Sequence, residues 1–516
     1  MRRVDGTVKR IYSKLTVEFK TAFLSALLFG LIAHLYMFTN KLPNFDDIEY
    51  LDKFGTTFRY GRWFLWLVGA TAYHLELVFS LPWMNGLLTL LMLAVSAGIV
   101  AGLLGMKSKV ANMLTGAALV VFPSWTVTFF YMFTAPYYGF AVLLAVLSVY
   151  LTVRCKKGIA VSAPLLACSL GIYQAYLPFT ATLYVVLLFA MLYGKNSYAD
   201  ILKKSVYYLL SLGAGVGCYF IFMRLSLAAT GQQLTQYKGI SSMGKLSLAR
   251  IPELMEIIFR NFFCIFLNNN LEISYNLITK GMYLFLFVLG AVLIIWLIVQ
   301  NIRAKEYLKG IEAVVLTFVF VLAVNSIYIM CEEGIYAIMY YSYVFMLVFP
   351  LVLIDRTLKQ WERPVTVCME YLVTFVLCIG VLTYCHFANA QYLSLNLSYE
   401  QSYSFCSTLI TQIKSMEGYR DDMPVVLVGE KFVDDSLYHN EIMYPFSISG
   451  KDDALVDAYR SSRHRFFMIY CGFDADFMRI GELPEAAQAE IAKMPYYPDK
   501  GSIKIIDGVV AVRIGD

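Results

Sequence analysis

The stretch LPNFDDIEYLDKFGTTFRYGRWFLWLVG, residues 42–69, sets the carboxylates Asp46, Asp47, Glu49 and Asp52 beside the cations Lys53, Arg59 and Arg62, between two strongly apolar parts of the chain. In an adjacent acidic pair, partial burial can raise the pKa of one member while nearby cations hold the other ionised. A carboxylate poised in this way can take a proton from a hydroxyl or ligate a divalent cation. Asp46 and Asp47 are the candidates, and the residues do not choose between them. Arginine offers a planar fork that matches phosphate oxygens. Arg59 and Arg62, just ahead of an apolar run, are therefore candidate phosphate ligands. An acid for an acceptor hydroxyl and arginines for a phosphate leaving group suit glycosyl transfer. For any one of these charges the plainer reading is a helix cap or a solvated rim.

The elements that must hold this loop are membrane spans. The chain has 516 residues, 59% of them hydrophobic and only 15% charged, with a mean hydropathy of +0.62. That composition excludes an ordinary soluble globule. Runs long enough to cross a bilayer lie at 20–38, 84–105, 110–132, 137–153, 158–174, 178–193, 205–225, 279–300, 311–330, 335–354 and 365–386, about eleven spans. The first has no small-residue cleavage pattern and reads as an anchor. Basic clusters at Arg2/Arg3/Lys9/Arg10/Lys14, Lys107/Lys109, Arg154/Lys156/Lys157, Lys195/Lys203/Lys204, Arg303/Lys305/Lys309 and Arg356/Lys359/Arg363 fall on one side of this alternation. The positive-inside rule then places the N-terminus in the cytoplasm and the loops 39–83 and 226–278 outside.

Residues 63–80 are apolar enough to span, yet a crossing there would invert every later loop, so a helix lying in the outer interface is expected. RIPELMEIIFRNFFCIFLNNN, 250–270, has the spacing of a second interfacial helix. Residues 1–386 carry 30 Lys and Arg against 18 Asp and Glu, and residues 387–516 carry 12 against 19, so the net charge changes from +12 to −7. This break divides a transmembrane domain, 1–386, from an extracytoplasmic domain, 387–516. In the latter, 423–430 and 465–473 read as buried strands, 484–494 as a helix, and SIKIIDGVVAVRIGD as a hairpin turning at Asp507-Gly508. The expected fold is mainly α, a polytopic helical bundle with a small C-terminal α/β domain.

Several chemistries find no support. Ten cysteines include no C-x-x-C pair, five histidines show no ligand spacing, and there is no Walker motif. The glycines of GAGVGC, 213–218, lie in an apolar helix, where they let another helix approach. No nucleic acid partner is expected.

N-F-D-D after the first span, G-R-W at 61–63, G-I-Y-Q-A-Y-L-P at 171–178 and P-V-V-L-V-G in the tail together resemble the bacterial Gtr-type polytopic glucosyltransferases of the GT-C superfamily. The resemblance runs in order along nearly the whole chain. It implies transfer of a sugar, glucose by analogy, from a polyprenyl-phosphate carrier to a surface glycan of the O-antigen kind, on the outer face of the bacterial cytoplasmic membrane. It also implies an inverting displacement and a catalytic carboxylate in the first outer loop, at Asp46 or Asp47. Metal dependence stays open.

The uncharged turn at Tyr173, Gln174 and Tyr176 falls at the outer interface, where tyrosines are ordinarily belt residues. Its amide and rings also suit a sugar pocket. Glu332 and Glu333, at another outer turn, are reserve candidates for acceptor binding. Two rivals are a glycolipid flippase, which would show inverted repeats and mid-membrane charges, and a polytopic acyltransferase, which would need a histidine-centred site. Neither feature is evident.

Overall fold

Lipid offers the backbone no hydrogen-bond partner, so an apolar run inside it closes its bonds within a helix. The computed structural model describes residues 13–515 apart from 56, 156, 195, 237–239, 242–247, 268–271, 331–334, 361–362, 433–453 and 458–463. Helices α1 (Val17–Thr39), α2 (Phe45–Glu49), α3 (Trp63–His74), α4 (Pro82–Leu104), α5 (Lys109–Val121), α6 (Pro123–Phe129) and α7 (Ala135–Arg154) come first. Then follow α8 (Gly158–Ile172), α9 (Tyr176–Leu192), α10 (Tyr198–Thr230), α11 (Ile251–Leu267), α12 (Leu277–Arg303), α13 (Tyr307–Val324), α14 (Phe345–Gln360) and α15 (Pro364–Lys414).

Among the described residues, nine helical stretches are long and apolar enough to cross a membrane: α1, α4, α5 with α6, α7, α10, α12, α13, Tyr341–Gln360 and α15. They fall on nine of the eleven expected spans. The other two are the shorter apolar helices α8 and α9, of 15 and 17 residues. Helix α3 has 12 residues and is too short to cross. Outward-facing apolar stripes, such as Leu24, Leu28, Ile32 and Leu35 on α1 or Leu284, Val288, Val292, Ile295 and Val299 on α12, recur at helical spacing. Such stripes suit lipid and not water. The chain is a multi-pass membrane protein.

The chain divides into two compact units. The first comprises residues 1–38, 54–129 and 134–388. Within it, α7 packs on α4 and α8, α8 on α10, α9 on α13, and α12 on both α13 and α14. Of the three glycines in GAGVGC, only Gly215 meets a neighbour closely. A Cβ there would come 2.6 Å from Leu166 Cδ2 on α8, whereas Gly213 and Gly217 face open space.

The second unit comprises Thr39–Lys53, Phe130–Phe133 and Asn389–Asp516. Its sheet contains β1 (Val425–Val428), β4 (Phe477–Met478), β5 (Ile503–Ile506) and β6 (Val509–Arg513), in the order β4-β1-β6-β5. β1 runs parallel to β4 and β6, and β5 and β6 form the expected hairpin. Its turn has positive φ at Asp507 and Gly508, +50° and +80°, as a two-residue hairpin loop requires. Alternate residues of the strands feed two cores. Val425, Leu427, Val510 and Val512 meet Cys406, Leu409 and Ile413 of α15, while Val426, Val509 and Ala511 meet Ala487 and Ile491 of α16 (Glu485–Ile491). Both faces are therefore covered, which is why these strands read as continuously apolar.

Two tail elements differ from expectation. The segment 423–430 is interrupted at Gly429, φ +88°, and resumes as β2 (Glu430–Phe432), which pairs with β3 (Ala454–Asp457). Phe466–Tyr470 is a wide helical turn and not a strand. The consecutive rings of Phe466 and Phe467 both enter the core, and Phe466 stacks on Tyr470 at 5.2 Å. An alternating strand would have sent neighbouring rings to opposite faces.

Candidate functional site

Each unit presents one constellation. In the second unit, Asn44 is extended (φ −89°, ψ −179°) and caps α2, its side-chain oxygen accepting from the amides of Asp46 (2.8 Å) and Asp47 (2.9 Å). Its side-chain nitrogen donates to the Phe130 carbonyl at 2.6 Å. The carboxylate of Asp47, 3% exposed, accepts from the amides of Met132 (3.2 Å, to Oδ2) and Phe133 (2.9 Å, to Oδ1). Tyr50 stacks on Phe133 at 4.9 Å. Asp46, one residue earlier, is only partly buried. The two acids are thus unlike: Asp47 is buried and holds a backbone segment on both oxygens, whereas Asp46 is partly buried.

The other charges in this segment are paired. Lys53 Nζ lies 2.9 Å from Glu49 Oε1, and Arg465 Nη2 lies 2.8 Å from Asp52 Oδ1. Lys41 Nζ sits 4.4 Å from the centre of the Tyr470 ring. Burial, with the Asp47 carboxylate second, pushes the Tyr470 phenol up from its ordinary value.

In the first unit the constellation centres on Arg62, which precedes α3. Its Nη1 donates to the Tyr138 hydroxyl at 3.1 Å, and its guanidinium carbon lies 5.0 Å from the Tyr173 ring centre and 5.7 Å from that of Tyr60. Tyr138 and Tyr173 stack at 4.5 Å, and Tyr176 meets Tyr173 edge-on at 5.6 Å. Arg62 Nε is buried with no hydrogen-bond partner among the described residues. Burial works against the charge, and Tyr138, Tyr173, Tyr60 and Tyr219 outweigh it, holding Arg62 above the ordinary arginine value. The result is a cation in an aromatic cage with a donor to spare.

The turn that delivers Arg62 is fixed by Gln174. Its Nε2 donates to the Tyr60 carbonyl (2.7 Å) and to the Tyr219 hydroxyl (3.0 Å), which itself donates to the Gly61 carbonyl (3.2 Å). Gly61 has φ +70°, and a Cβ there would lie 2.6 Å from the Tyr219 oxygen. A Cβ on Gly171 would lie 2.8 Å from both Trp63 Cε2 and Phe64 Cβ, so that glycine lets α3 rest on α8. The motifs G-R-W and G-I-Y-Q-A-Y-L-P are thus in direct contact: Trp63 and Gly171 lie 108 residues apart in the chain, and the Gln174 bond to Tyr60 spans 114.

Arg59 is exposed, and its carbonyl accepts from the Thr235 amide at 2.9 Å. Glu332 and Glu333 lie outside the described residues. Among the described residues no three His, Cys, Asp or Glu side chains gather as a metal site. The sequence reading did not single out Asn44, Tyr138, Tyr219 or Arg465. Only Asn44 had a local signal, an Asn placed to cap a helix opening with two acids.

The sequence model of the family described as glucosyl transferase GtrII matches residues 35–351, well over half of the chain. The chain belongs to the GtrII glucosyltransferase family. No curated protein and no solved structure matches it. The matched span of this glucosyltransferase contains α2, the Phe130–Phe133 segment and the arginine–tyrosine cage, while Arg465 and Tyr470 lie beyond it.

Proposed function

We propose that this glucosyltransferase takes glucose from a polyprenyl-phosphate carrier and adds it to a surface glycan, on the extracytoplasmic face of the bacterial cytoplasmic membrane. The observation that carries the reading is Arg62, a caged cation whose Nε has no partner among the described residues, at the start of a helix too short to span. A phosphate monoanion joined to a lipid tail would use that donor and that charge. The basic clusters along the chain support a cytoplasmic N-terminus and an external tail.

The chemistry is an inverting displacement of the GT-C type. Asp46 accepts the proton of the acceptor hydroxyl, and the oxygen forms a bond to the anomeric carbon. The bond from that carbon to the phosphate oxygen breaks, and the carrier phosphate departs with the electron pair, its charge met by Arg62. Asp47 holds the loop through Met132 and Phe133. Gln174 and Tyr219 set the turn that presents Arg62. Tyr173 and Tyr176, both buried, back the aromatic cage around Arg62.

The test is transfer by purified protein from radiolabelled polyprenyl-phosphate glucose to native membranes. Label in the surface glycan with loss of the lipid-linked sugar is the expected result. Movement of intact glycolipid across a bilayer without release of sugar would replace this reading with a flippase.

A further inference from the structure

Helix α2 has five residues, too few to hold itself, because nucleation of so short a helix is unfavourable. Its N-terminal amides are met by Asn44. Its last carbonyls need partners from elsewhere. Arg465 supplies one: Nε donates to the Ile48 carbonyl at 3.0 Å, while Nη2 of the same guanidinium meets Asp52 Oδ1 at 2.8 Å. The Ile48 side chain, between the Asp47 and Glu49 positions, is wholly buried in the core made by Cys406, Leu409, Val425, Phe466 and Phe467. A half-exposed ion pair alone contributes little. A planar fork joined to both a helix end and the following turn, beside a buried anchor, fixes an orientation.

We infer that Arg465 is a positioning residue for glucosyl transfer, acting through α2 to hold Asp46 in place. This rests on the reading of Asp46 as the base. The C-terminal residues then belong to the transfer machinery itself, because they supply the core and the clamp of the helix that carries the acidic pair. Tyr470, on the same turn as Arg465, stacks on Phe466 of that core and extends the support.

The test measures initial rates in membranes, normalised to protein level, with polyprenyl-phosphate glucose as donor. Arg465→Ala and Arg465→Lys are compared in the wild-type and Asp46→Asn backgrounds. Arg465→Ala is expected to lower kcat roughly 10- to 100-fold, the scale on which a misplaced catalytic group slows a reaction, with the donor KM nearly unchanged. Arg465→Lys, which keeps the charge but not the planar fork, should recover part of the loss. In the Asp46→Asn background the further loss should vanish. Should Arg465→Ala fail to accumulate, Arg465→Lys and Asp52→Asn provide the same comparison. Wild-type kcat in the Arg465 variants, or an equal loss in both backgrounds, overturns the inference while a strong Asp46→Asn defect leaves the reaction reading intact. Normal activity in Asp46→Asn and Asp47→Asn alike overturns the reading of the acids, and the inference with it.

Discussion

The amide of Phe133 donates to the Asp47 carboxylate at 2.9 Å, joining residues 86 apart in the chain. Together with the Met132 amide it engages both carboxylate oxygens, whereas Asp46 is partly exposed. Replacing each by Asn should therefore separate the two roles. Asp47→Asn puts an NH2 donor against a backbone donor and should cost about 1–3 kcal/mol of stability, the range for an unsatisfied buried group. Asp46→Asn keeps the shape of the side chain and should reduce turnover about 10²–10⁴-fold, as expected for a lost general base. Thermal unfolding in detergent and normalised transfer rates check the pair. Full activity in Asp46→Asn would move the base elsewhere.

Arg62 and Arg59, three residues apart, should respond differently. Removing the caged guanidinium in Arg62→Ala should cost about 2–5 kcal/mol of donor affinity, the range for stripping one member from a desolvated charge pair. Arg62→Lys should rescue little, since one ammonium nitrogen cannot stand both where Nη1 meets Tyr138 and where Nε lies. Arg59→Ala, at an exposed side chain, should be milder. Equilibrium binding of polyprenyl-phosphate glucose to the three variants distinguishes these outcomes.

Span positions were legible because crossing a bilayer depends on local composition, which a window of residues records. The hairpin at Asp507-Gly508 and helix α16 were legible for a similar reason, since turn chemistry and helix-forming residues act locally. The turn at Phe466–Tyr470 was not, because a short run of aromatic and β-branched residues fits either a buried strand or a buried helix. The partners of the acidic pair were hidden more deeply. Arg465 is 417 residues from Ile48, and nothing near either residue signals the bond between them. The acidic pair itself was visible, but the difference between Asp46 and Asp47 arises from the remote Phe130–Phe133 segment.

Orientation can be read by labelling. Single cysteines placed at two exposed positions, Lys109→Cys and Ser415→Cys, in a background without the ten native cysteines, are treated with a membrane-impermeant maleimide. Ser415→Cys should react from outside, and Lys109→Cys only after the membrane is opened. The reverse pattern would place the acidic loop in the cytoplasm and remove the basis for an external acceptor.

Gly171 offers the sharpest test of how the arginine is delivered. Its missing side chain is what lets α3 rest on α8, because a methyl there would lie 2.8 Å from Trp63 and from Phe64. Both contacted atoms belong to residues at the start of α3, so relief requires the helix to move and Arg62 to move with it. Gly171→Ala should therefore destabilise the protein by about 1–3 kcal/mol, the usual cost of overpacking, and weaken donor binding although no donor ligand has been changed. Gln174→Ala approaches the same turn from the other side: it removes the donors to the Tyr60 carbonyl and the Tyr219 hydroxyl without any clash. If Arg62 is what the turn exists to present, both variants should raise the donor KM more than they lower kcat, and neither should add much to Arg62→Ala. A loss of kcat at unchanged donor KM would instead tie this contact to the chemical step.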